Sequence, residues 1–273
     1  MSLNLITACD LYNAPLTDYN YPIVDVRTVG EYEHSHIPTA LVAKKHTSLE
    51  DLYAEIMDMG YEVSCKVVVY GRDDTDGTFE DIIAFFLREN FDVFKLDGGL
   101  EAFSRQFPGI LDPALDSSQL ILPAFIPLVN VYLGSAVCAN LSTLRSLGVK
   151  SIVNAGASEA VSEDLTSNFN YLLMDIIDSP TQALEPHLSE ALAFITLHAP
   201  AGPVFVHCSQ GISRSVSVVI ALLVAQKGMG YNEALEYVQC CRRIARPNIG
   251  FVRQLQAFQS AQRTRVLEDS NEQ

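Results

Sequence analysis

The residues best suited to chemistry lie in one short run, His207-Cys208-Ser209-Gln210-Gly211-Ile212-Ser213-Arg214-Ser215. The apolar run 204–206 before it predicts a buried strand that ends at His207, and a strongly apolar helix is predicted to begin near Arg214. A short loop between a strand and a helix directs its amides and the helix N-terminus at one point, which favours a bound anion. The sequence therefore predicts a phosphate-binding loop formed by Ser209, Gln210, Gly211, Ile212, Ser213 and Arg214.

Cys208 opens this loop, so its sulfur is expected to lie beneath the same donors. Such donors favour the thiolate, and a thiolate at a phosphate site is a nucleophile aimed at phosphorus. The guanidinium of Arg214 can hold two phosphoryl oxygens, and Ser215 is placed to donate to the sulfur as it leaves. The alternative is a buried structural cysteine with an unrelated surface arginine, but the surrounding strand, glycine and helix favour phosphoryl transfer.

Cleavage of a phosphate ester also needs a proton donor for the leaving oxygen, and Asp178 is the candidate. It follows the apolar segment 171–177, and Pro180 two residues later predicts a turn, so Asp178 is expected on a loop. Capping of that turn is its alternative role. Asp175 is the second candidate acid, but its position inside the apolar segment favours a structural role.

Both halves of the chain alternate strand and helix patterns around these residues. The predicted strands are 23–26, 67–70, 92–96, 151–154 and 203–206, and the predicted helices are 79–87, 184–198 and 215–226. We therefore expect an α/β protein of two domains, each a mostly parallel sheet flanked by helices. Proline, glycine and polar residues near 108–118 predict the boundary, with domains at 1–113 and 123–266, a linker at 114–122 and a flexible tail at 267–273.

The charge of the chain is acidic and unevenly distributed. There are 33 Asp and Glu against 18 Lys and Arg, a formal net charge of −15. Residues 1–115 carry 20 acidic and 8 basic side chains, whereas residues 116–273 carry 13 and 10. This acidity argues against a nucleic-acid partner. A phosphate site must therefore be a local positive feature in the more balanced half.

Several other classes are disfavoured by composition. The longest apolar runs, such as 216–225, are too short for a membrane span. The six cysteines contain no C-x-x-C pair and the six histidines are scattered, so neither a disulfide framework nor a metal site is predicted, and no cofactor is expected. The N-terminus has no signal- or transit-peptide pattern, so a cytoplasmic location is expected, with mitochondrial or nuclear ones left open.

The loop and its surroundings resemble the cysteine-dependent dual-specificity protein phosphatases. The resemblance rests on His-Cys-x-x-Gly-x-x-Arg-Ser at 207–215 and extends over about 140 residues, through the segment 130–135 and Pro247-Asn248-Ile249-Gly250-Phe251. It implies that His207 orders the loop, that Asn248 braces it, and that Asp178, 30 residues before the nucleophile, is the general acid. Gln210 departs from the small residue usual in the family, and Leu222 replaces a common tyrosine.

The first half resembles a rhodanese domain. The resemblance rests on Asp25-Val26-Arg27, on the segment 35–40, and on Leu96-Asp97-Gly98-Gly99-Leu100. Rhodaneses carry persulfide on a cysteine directly after a strand like 67–70, but Gly71 occupies that position here, and Cys65 precedes the strand. Sulfur transfer is therefore the least favoured function.

A rhodanese-like module without its cysteine ahead of a phosphatase domain resembles two groups. They are the MAP-kinase phosphatases and the serine/threonine/tyrosine-interacting-like proteins, and segments 35–45 and 209–215 favour the second. Pseudophosphatases of that group lack the nucleophile, whereas Cys208 is present. Lys44-Lys45-His46 is either a kinase-docking patch, as in MAP-kinase phosphatases, or a solvated face, which the surrounding acidity favours.

The sequence thus predicts hydrolysis of phosphotyrosine and phosphoserine or phosphothreonine in phosphoproteins through a cysteinyl-phosphate. The alternative is a phosphoprotein-binding scaffold with little or no turnover. Phosphoinositides and RNA 5′-phosphates are disfavoured because the loop holds no basic side chain besides Arg214. A protein partner is expected to bind the rhodanese-like domain, with a MAP kinase as the named candidate.

Overall fold

The computed structural model of the chain describes residues 3–13, 21–62, 64–71, 78–111, 121–156 and 161–271, with side chains as far as residue 264. The chain divides into two compact units, Met1–Leu120 and Ile121–Gln273. Each unit contains one five-stranded sheet, so the predicted α/β class with two mostly parallel sheets is confirmed. The acidic run 73–76 and most of the predicted linker 114–122 lie outside the described residues.

The first unit alternates strands and helices along the chain. Its elements are β1 (Asn4–Ile6), α1 (Ala8–Asn13), β2 (Ile23–Asp25), α2 (Val29–His34), β3 (Leu41–Val42), α3 (Leu49–Asp58), β4 (Lys66–Tyr70), α4 (Thr78–Arg88), β5 (Asp92–Leu96) and α5 (Gly99–Gln106). The strands pair in the order β1-β5-β4-β2-β3, and every pairing is parallel. Buried aliphatic side chains of β4 pack against the phenylalanines of α4, which gives this unit its own core.

A buried ion pair holds one end of this sheet. Asp25, at the end of β2, is fully buried, and its carboxylate lies 2.5 Å from the guanidinium of Arg27. Arg27 also donates to the backbone carbonyl of Ser35 at 2.7 Å and lies over the ring of Tyr70. Both charges are paired and hydrogen-bonded, so removing either partner would leave an uncompensated buried charge.

The second unit contains the remaining elements. They are β6 (Ala124–Ile126), β7 (Val131–Ser135), α6 (Leu141–Ser146), β8 (Ser151–Asn154), α7 (Glu163–Asn168), β9 (Asn170–Leu173), α8 (Glu185–His198), β10 (Val204–Cys208), α9 (Arg214–Lys227), α10 (Tyr231–Cys241) and α11 (Ile249–Asn271). The sheet order is β6-β7-β10-β8-β9, with only the β6–β7 pairing antiparallel. The strand that carries Cys208 is therefore the central one.

The helix after the central strand is the most buried helix of this unit. Every residue of α9 from Ser215 to Val224 is buried, as expected of a helix that is apolar on all sides. It ends at Gly228, whose φ of 68° is the left-handed conformation that glycine adopts without a Cβ penalty. The rigid pair of β10 and α9 fixes both ends of the loop between them.

Two details differ from the sequence-based expectations. The central strand continues one residue beyond His207, because Cys208 still pairs with Ser135 of β7. The backbone of the segment predicted as a tail is helical as far as Asn271.

Candidate active site

The loop between β10 and α9 folds tightly against a neighbouring strand. Gly211 has a φ of 67°, and a Cβ at this position would lie 2.5 Å from the carbonyl of Gly134 in β7. A residue with a side chain would be strained and would also collide with that backbone. Glycine is therefore required here for both its conformation and its size.

The Cys208 side chain lies at the base of this loop and is 1% exposed. The amide of Gly211 donates to its Sγ at 3.2 Å, and the Ser215 hydroxyl lies 3.3 Å from Sγ. Burial alone raises the pKa of the Cys208 thiol, but the hydrogen bonds from Ser215 and Gly211 and the charge of Arg214 outweigh it. The pKa of Cys208 is therefore lowered, which favours a thiolate nucleophile.

Two arginine residues outside the loop bind its carbonyl oxygens. Arg242 Nε donates to the carbonyl of Gly211 at 2.8 Å, and the backbone amide of Arg246 donates to the carbonyl of Ile212 at the same distance. Because donors outside the loop bind these two carbonyl groups, the orientation of the corresponding peptide groups is fixed. The positioning role of Arg242 was not predicted from the sequence, since 31 residues separate it from its partner.

The Arg214 side chain is 11% exposed and is held at three points. One Nη donates to the carbonyl of Ile176 at 3.2 Å, the other donates to the Ser209 hydroxyl at 3.1 Å, and Nε lies 3.7 Å from a carboxylate oxygen of Asp178. A guanidinium fixed in this way has a defined plane before any ligand binds, which suits bidentate phosphate recognition.

Asp178, the candidate general acid, lies next to the loop although it is 35 residues from its partner Ser213 in the chain. Its Oδ1 accepts hydrogen bonds from the Ser213 hydroxyl at 2.7 Å and from Asn248 Nδ2 at 2.8 Å, and its side chain is 37% exposed. The Ser213 hydroxyl in turn accepts a hydrogen bond from the backbone amide of Asn248 at 3.1 Å. The carboxylate is thus positioned beside Arg214 and still reaches solvent.

The first turn of α11 holds the whole Asp178 segment in place. Gly250 packs so closely that a Cβ there would lie 1.9 Å from the carbonyl oxygen of Pro180. Four residues along the helix, Gln254 accepts from the amide of Leu184 at 2.7 Å and donates to the carbonyl of Gln182 at 2.8 Å. These contacts were not predicted, because they join residues about 70 positions apart.

His207 lies on the opposite side of the central strand from this network of charges. Its ring stacks on Phe205 with centroids 5.0 Å apart, and it is 5% exposed. Burial lowers the pKa of His207 to about 4, so the ring is neutral at physiological pH and packs as a core side chain.

Other members of the predicted loop have more exposed side chains. Ser209 and Gln210 are exposed and Ile212 is half-buried, so these side chains form the rim, while their backbone forms the loop. Asp175, the second candidate acid, is exposed and has a φ of 45°. The Ser213 hydroxyl of the loop donates to Asp178, the first candidate acid.

In the first unit, a glycine occupies the position at which rhodaneses carry their nucleophilic cysteine. Gly71 follows β4, and a Cβ there would lie 2.4 Å from Cγ2 of Val26, a buried and β-branched side chain with little freedom to move. Cys65 precedes β4 and therefore lies at the opposite end of the strand. A cysteine at position 71 would need the end of β2 to shift.

Two kinds of feature are absent from the described residues. No cluster of three or more histidine, cysteine, aspartate or glutamate side chains there could hold a metal ion. No helix in the same ranges is long and apolar enough to cross a bilayer.

Two families of known proteins match this arrangement. Residues 131–261 match the dual specificity phosphatase catalytic domain, and residues 9–106 match the rhodanese-like domain. Dual specificity protein phosphatase 1 of Arabidopsis thaliana is 35% identical over 134 residues, which cover 48% of this chain and 67% of that protein. The chain belongs to the dual-specificity protein phosphatase family, and its catalytic domain follows a rhodanese-like domain.

Two further relatives illustrate the extent of the similarity. Dual specificity protein phosphatase 5 of Rattus norvegicus is 31% identical over 196 residues, which cover 62% of this chain and 50% of that protein. The chain thus spans about half the length of this relative. The crystal structure of human tyrosine phosphatase-like serine/threonine/tyrosine-interacting protein is 30% identical, covers 51% of this chain and 96% of that chain, and has a TM-score of 0.48.

Proposed function

We propose that this protein is an active protein phosphatase that hydrolyses phosphotyrosine and phosphoserine or phosphothreonine in proteins. The observation that carries the proposal is the buried Cys208 thiol, which accepts a hydrogen bond from the Gly211 amide of the loop and whose pKa is lowered. Arg214 and Asp178, the other two groups that phosphoryl transfer needs, are held beside the same loop.

In the first proposed step, the Cys208 thiolate attacks phosphorus and the bond to the substrate oxygen breaks. The amides of residues 209–214 and the Arg214 guanidinium stabilise the charge that develops on the phosphoryl oxygens. Asp178, in its protonated form, donates its proton to the leaving oxygen, and the dephosphorylated side chain departs as a neutral hydroxyl. The products are the free alcohol or phenol and a cysteinyl-phosphate.

In the second proposed step, water attacks the phosphorus of the cysteinyl-phosphate and the sulfur leaves as a thiolate. Asp178 is now a carboxylate and takes a proton from the attacking water. The Ser215 hydroxyl, 3.3 Å from Sγ, donates to the departing sulfur. Inorganic phosphate is released and the thiolate is restored. The proposed cycle uses side chains and amides of the chain and one water molecule, and it invokes no metal or cofactor.

We also propose to which subgroup of these phosphatases the protein belongs, what its rhodanese-like domain binds and in which compartment it acts. Cys208 separates this chain from pseudophosphatases of the serine/threonine/tyrosine-interacting-like group that its loops resemble, and supports turnover rather than binding alone. A reducing compartment such as the cytoplasm suits a thiolate nucleophile in a chain whose six cysteines are all free. We propose a protein partner for the rhodanese-like domain, with a MAP kinase as one candidate; exposed Lys44 and Lys45 are the basic residues concerned.

The test is hydrolysis of p-nitrophenyl phosphate and of a phosphotyrosine peptide by the full chain, in EDTA and a thiol reductant. We expect turnover that Cys208→Ser abolishes, while the variant still binds the phosphopeptide. A folded wild-type protein with no phosphate release would contradict the proposal. Binding without turnover in both proteins would instead support the scaffold function.

A further inference from the structure

Three strongly exposed isoleucines adjoin the residues that hold the active-site loop. Ile177 is 61% exposed, Ile244 is 53% exposed and Ile249 is 58% exposed. A single exposed apolar side chain is ordinary on a protein surface. Several such side chains that adjoin one site are different, because apolar surface beside a binding site can take part in binding.

Two of these isoleucines lie on neighbouring segments. Asp178, which follows Ile177, accepts a hydrogen bond at 2.8 Å from Asn248, which precedes Ile249. Two residues further along each segment, the first turn of α11 packs directly against the backbone after Asp178. Ile177 and Ile249 therefore flank the same contact, on the side of the site that contains the candidate acid.

The third isoleucine lies on the segment that binds the outer carbonyls of the loop. Ile244 is two residues after Arg242, which donates to the Gly211 carbonyl, and two residues before Arg246, whose amide donates to the Ile212 carbonyl. Its exposure therefore places an apolar side chain at the outer edge of the phosphate-binding loop.

We propose that Ile177, Ile244 and Ile249 form an isoleucine rim that binds an aliphatic or aromatic side chain next to the phosphorylated residue of a protein substrate. The proposal rests on the function proposed above. When the phosphate is bound to the loop amides, the substrate residues on either side of the phosphorylated residue must lie on the surface around the loop. Burying their apolar side chains against the rim stabilises the complex by removing both surfaces from water. The substrate class is thus a phosphoprotein with apolar residues flanking the phosphosite.

The competing substrate is a phosphosite with acidic flanks. Arg243 and Arg246 are exposed on either side of Ile244 and would attract carboxylates. Contacts between exposed charges are weak and are screened at physiological salt, whereas apolar contacts are not screened. The isoleucine rim is therefore expected to decide the preference at about 0.15 M salt.

The first measurement compares three phosphotyrosine peptides that differ only in the two residues flanking phosphotyrosine, which are Leu, Ser or Asp. With the full chain at physiological salt, we expect kcat/KM for the Leu peptide to exceed that for the Ser peptide by about tenfold. The Asp peptide is expected to be no better than the Ser peptide. Equal values for all three, or a preference for Asp, would overturn the proposal.

The second measurement uses the double variant Ile177→Ser with Ile249→Ser. Its Leu-to-Ser selectivity ratio is expected to fall towards one, while Leu197→Ser, a change at a 73% exposed position on α8, leaves the ratio at its wild-type value. A ratio is used because a general loss of activity lowers both rates and leaves it unchanged. Wild-type selectivity in the double variant would refute the isoleucine rim.

Failure of the isoleucine rim can be distinguished from failure of the proposed function. p-Nitrophenyl phosphate has no flanking residues, so its hydrolysis tests the proposed function alone. If that substrate is not hydrolysed, the same three peptides are compared by their dissociation constants, using fluorescence anisotropy and the same variants. A preference of about tenfold for Leu in binding, lost in the double variant, supports the isoleucine rim even without turnover. Equal dissociation constants would exclude it.

Discussion

At the scale of single residues, the nucleophile depends on a few donors that outweigh its burial. Burial alone would make Cys208 a poor thiolate, because a charged sulfur loses its hydration. The donors that reverse this effect are local: the amide of Gly211, the hydroxyl of Ser215 and the charge of Arg214. Each belongs to the loop or to the first turn of α9, so the thiolate and the phosphate are stabilised by the same structure.

We expect Ser215→Ala to raise the pKa of Cys208, since a side-chain donor to the sulfur is lost. At pH values below that pKa the thiolate fraction falls, so alkylation by iodoacetamide becomes slower and its pH profile moves to higher pH. Turnover is expected to fall at least about tenfold, because the same hydroxyl assists the leaving sulfur.

The matched control is Ser217→Ala, which removes a buried hydroxyl one half-turn further along the helix. That hydroxyl donates to the carbonyl of Ser213 at 2.8 Å and not to the sulfur. Its alkylation profile should therefore coincide with that of the wild type. A profile of Ser215→Ala that also coincides with the wild type would show that the loop amides and Arg214 set the pKa alone.

His207 provides a second pH-dependent effect, on stability. Burial lowers its pKa to about 4, while in the unfolded chain it titrates near its ordinary value of 6.5. The unfolded state therefore binds the proton first as pH falls, so this contribution to stability is complete above pH 6.5 and is lost towards pH 4. The full loss is about 3 kcal/mol.

The measurement is urea unfolding of the wild type and of His207→Phe between pH 7 and pH 4. Phenylalanine keeps the stack on Phe205 but has no proton to bind. We expect the free energy of unfolding of the wild type to fall more steeply across this range than that of the variant. Parallel curves would mean that the pKa of His207 in the folded protein is close to its ordinary value of 6.5.

At the scale of elements, the site is a meeting of three segments. The loop after β10 is the proposed phosphate site, the loop before α8 carries Asp178, and the first turn of α11 joins them. Asn248 makes this junction with one side chain: its Nδ2 donates to Asp178, and its Oδ1 accepts from the Phe251 amide as the cap of α11. Fixing the helix start therefore also fixes the acid.

We expect Gly250→Ala to impair the acid specifically. The new Cβ would lie 1.9 Å from the carbonyl oxygen of Pro180, so the segment that carries Asp178 must move. Poor leaving groups need protonation most, so kcat for phenyl phosphate should fall about a hundredfold and kcat for p-nitrophenyl phosphate much less. Overpacking should also cost about 1–3 kcal/mol of stability.

Gly30→Ala is the matched control, because Gly30 is likewise the second residue of its helix, α2, and a Cβ there meets nothing within 4 Å. We expect both aryl phosphates to be hydrolysed by this variant at wild-type rates. If the two rates of the Gly250→Ala protein fall by the same factor, the contact between Gly250 and Pro180 supports the whole loop and not the acid specifically.

Contacts between residues close in the chain could be predicted from the sequence, whereas contacts between distant segments could not. The strand, loop and helix around Cys208 were predictable, because local periodicity and one glycine describe residues that are consecutive in the chain. Asp178 was found through the turn that Pro180 indicates. The packing of Gly250 against Pro180 and the anchoring of the loop by Arg242 could not be predicted, because long-range contacts leave no periodic pattern in the sequence.

At the scale of the whole molecule, the acidity and the chemistry are separated. Residues 1–115 carry a net charge of −12, whereas the unit that contains Cys208 is near balance. The phosphate site uses one arginine side chain, loop amides and a helix start, so it does not need a basic surface.

The last prediction concerns the independence of the two units. Ile121–Gln273 has its own sheet and its own apolar core, and every residue assigned to the site lies within it. A fragment of residues 121–273 should therefore fold and hydrolyse p-nitrophenyl phosphate with kcat/KM within about twofold of the full chain, since domains with complete cores fold alone. The two proteins are compared by steady-state kinetics and thermal unfolding. A folded fragment with a rate reduced tenfold or more would mean that the rhodanese-like domain contributes to the active site, and would assign it a role in catalysis rather than in partner binding.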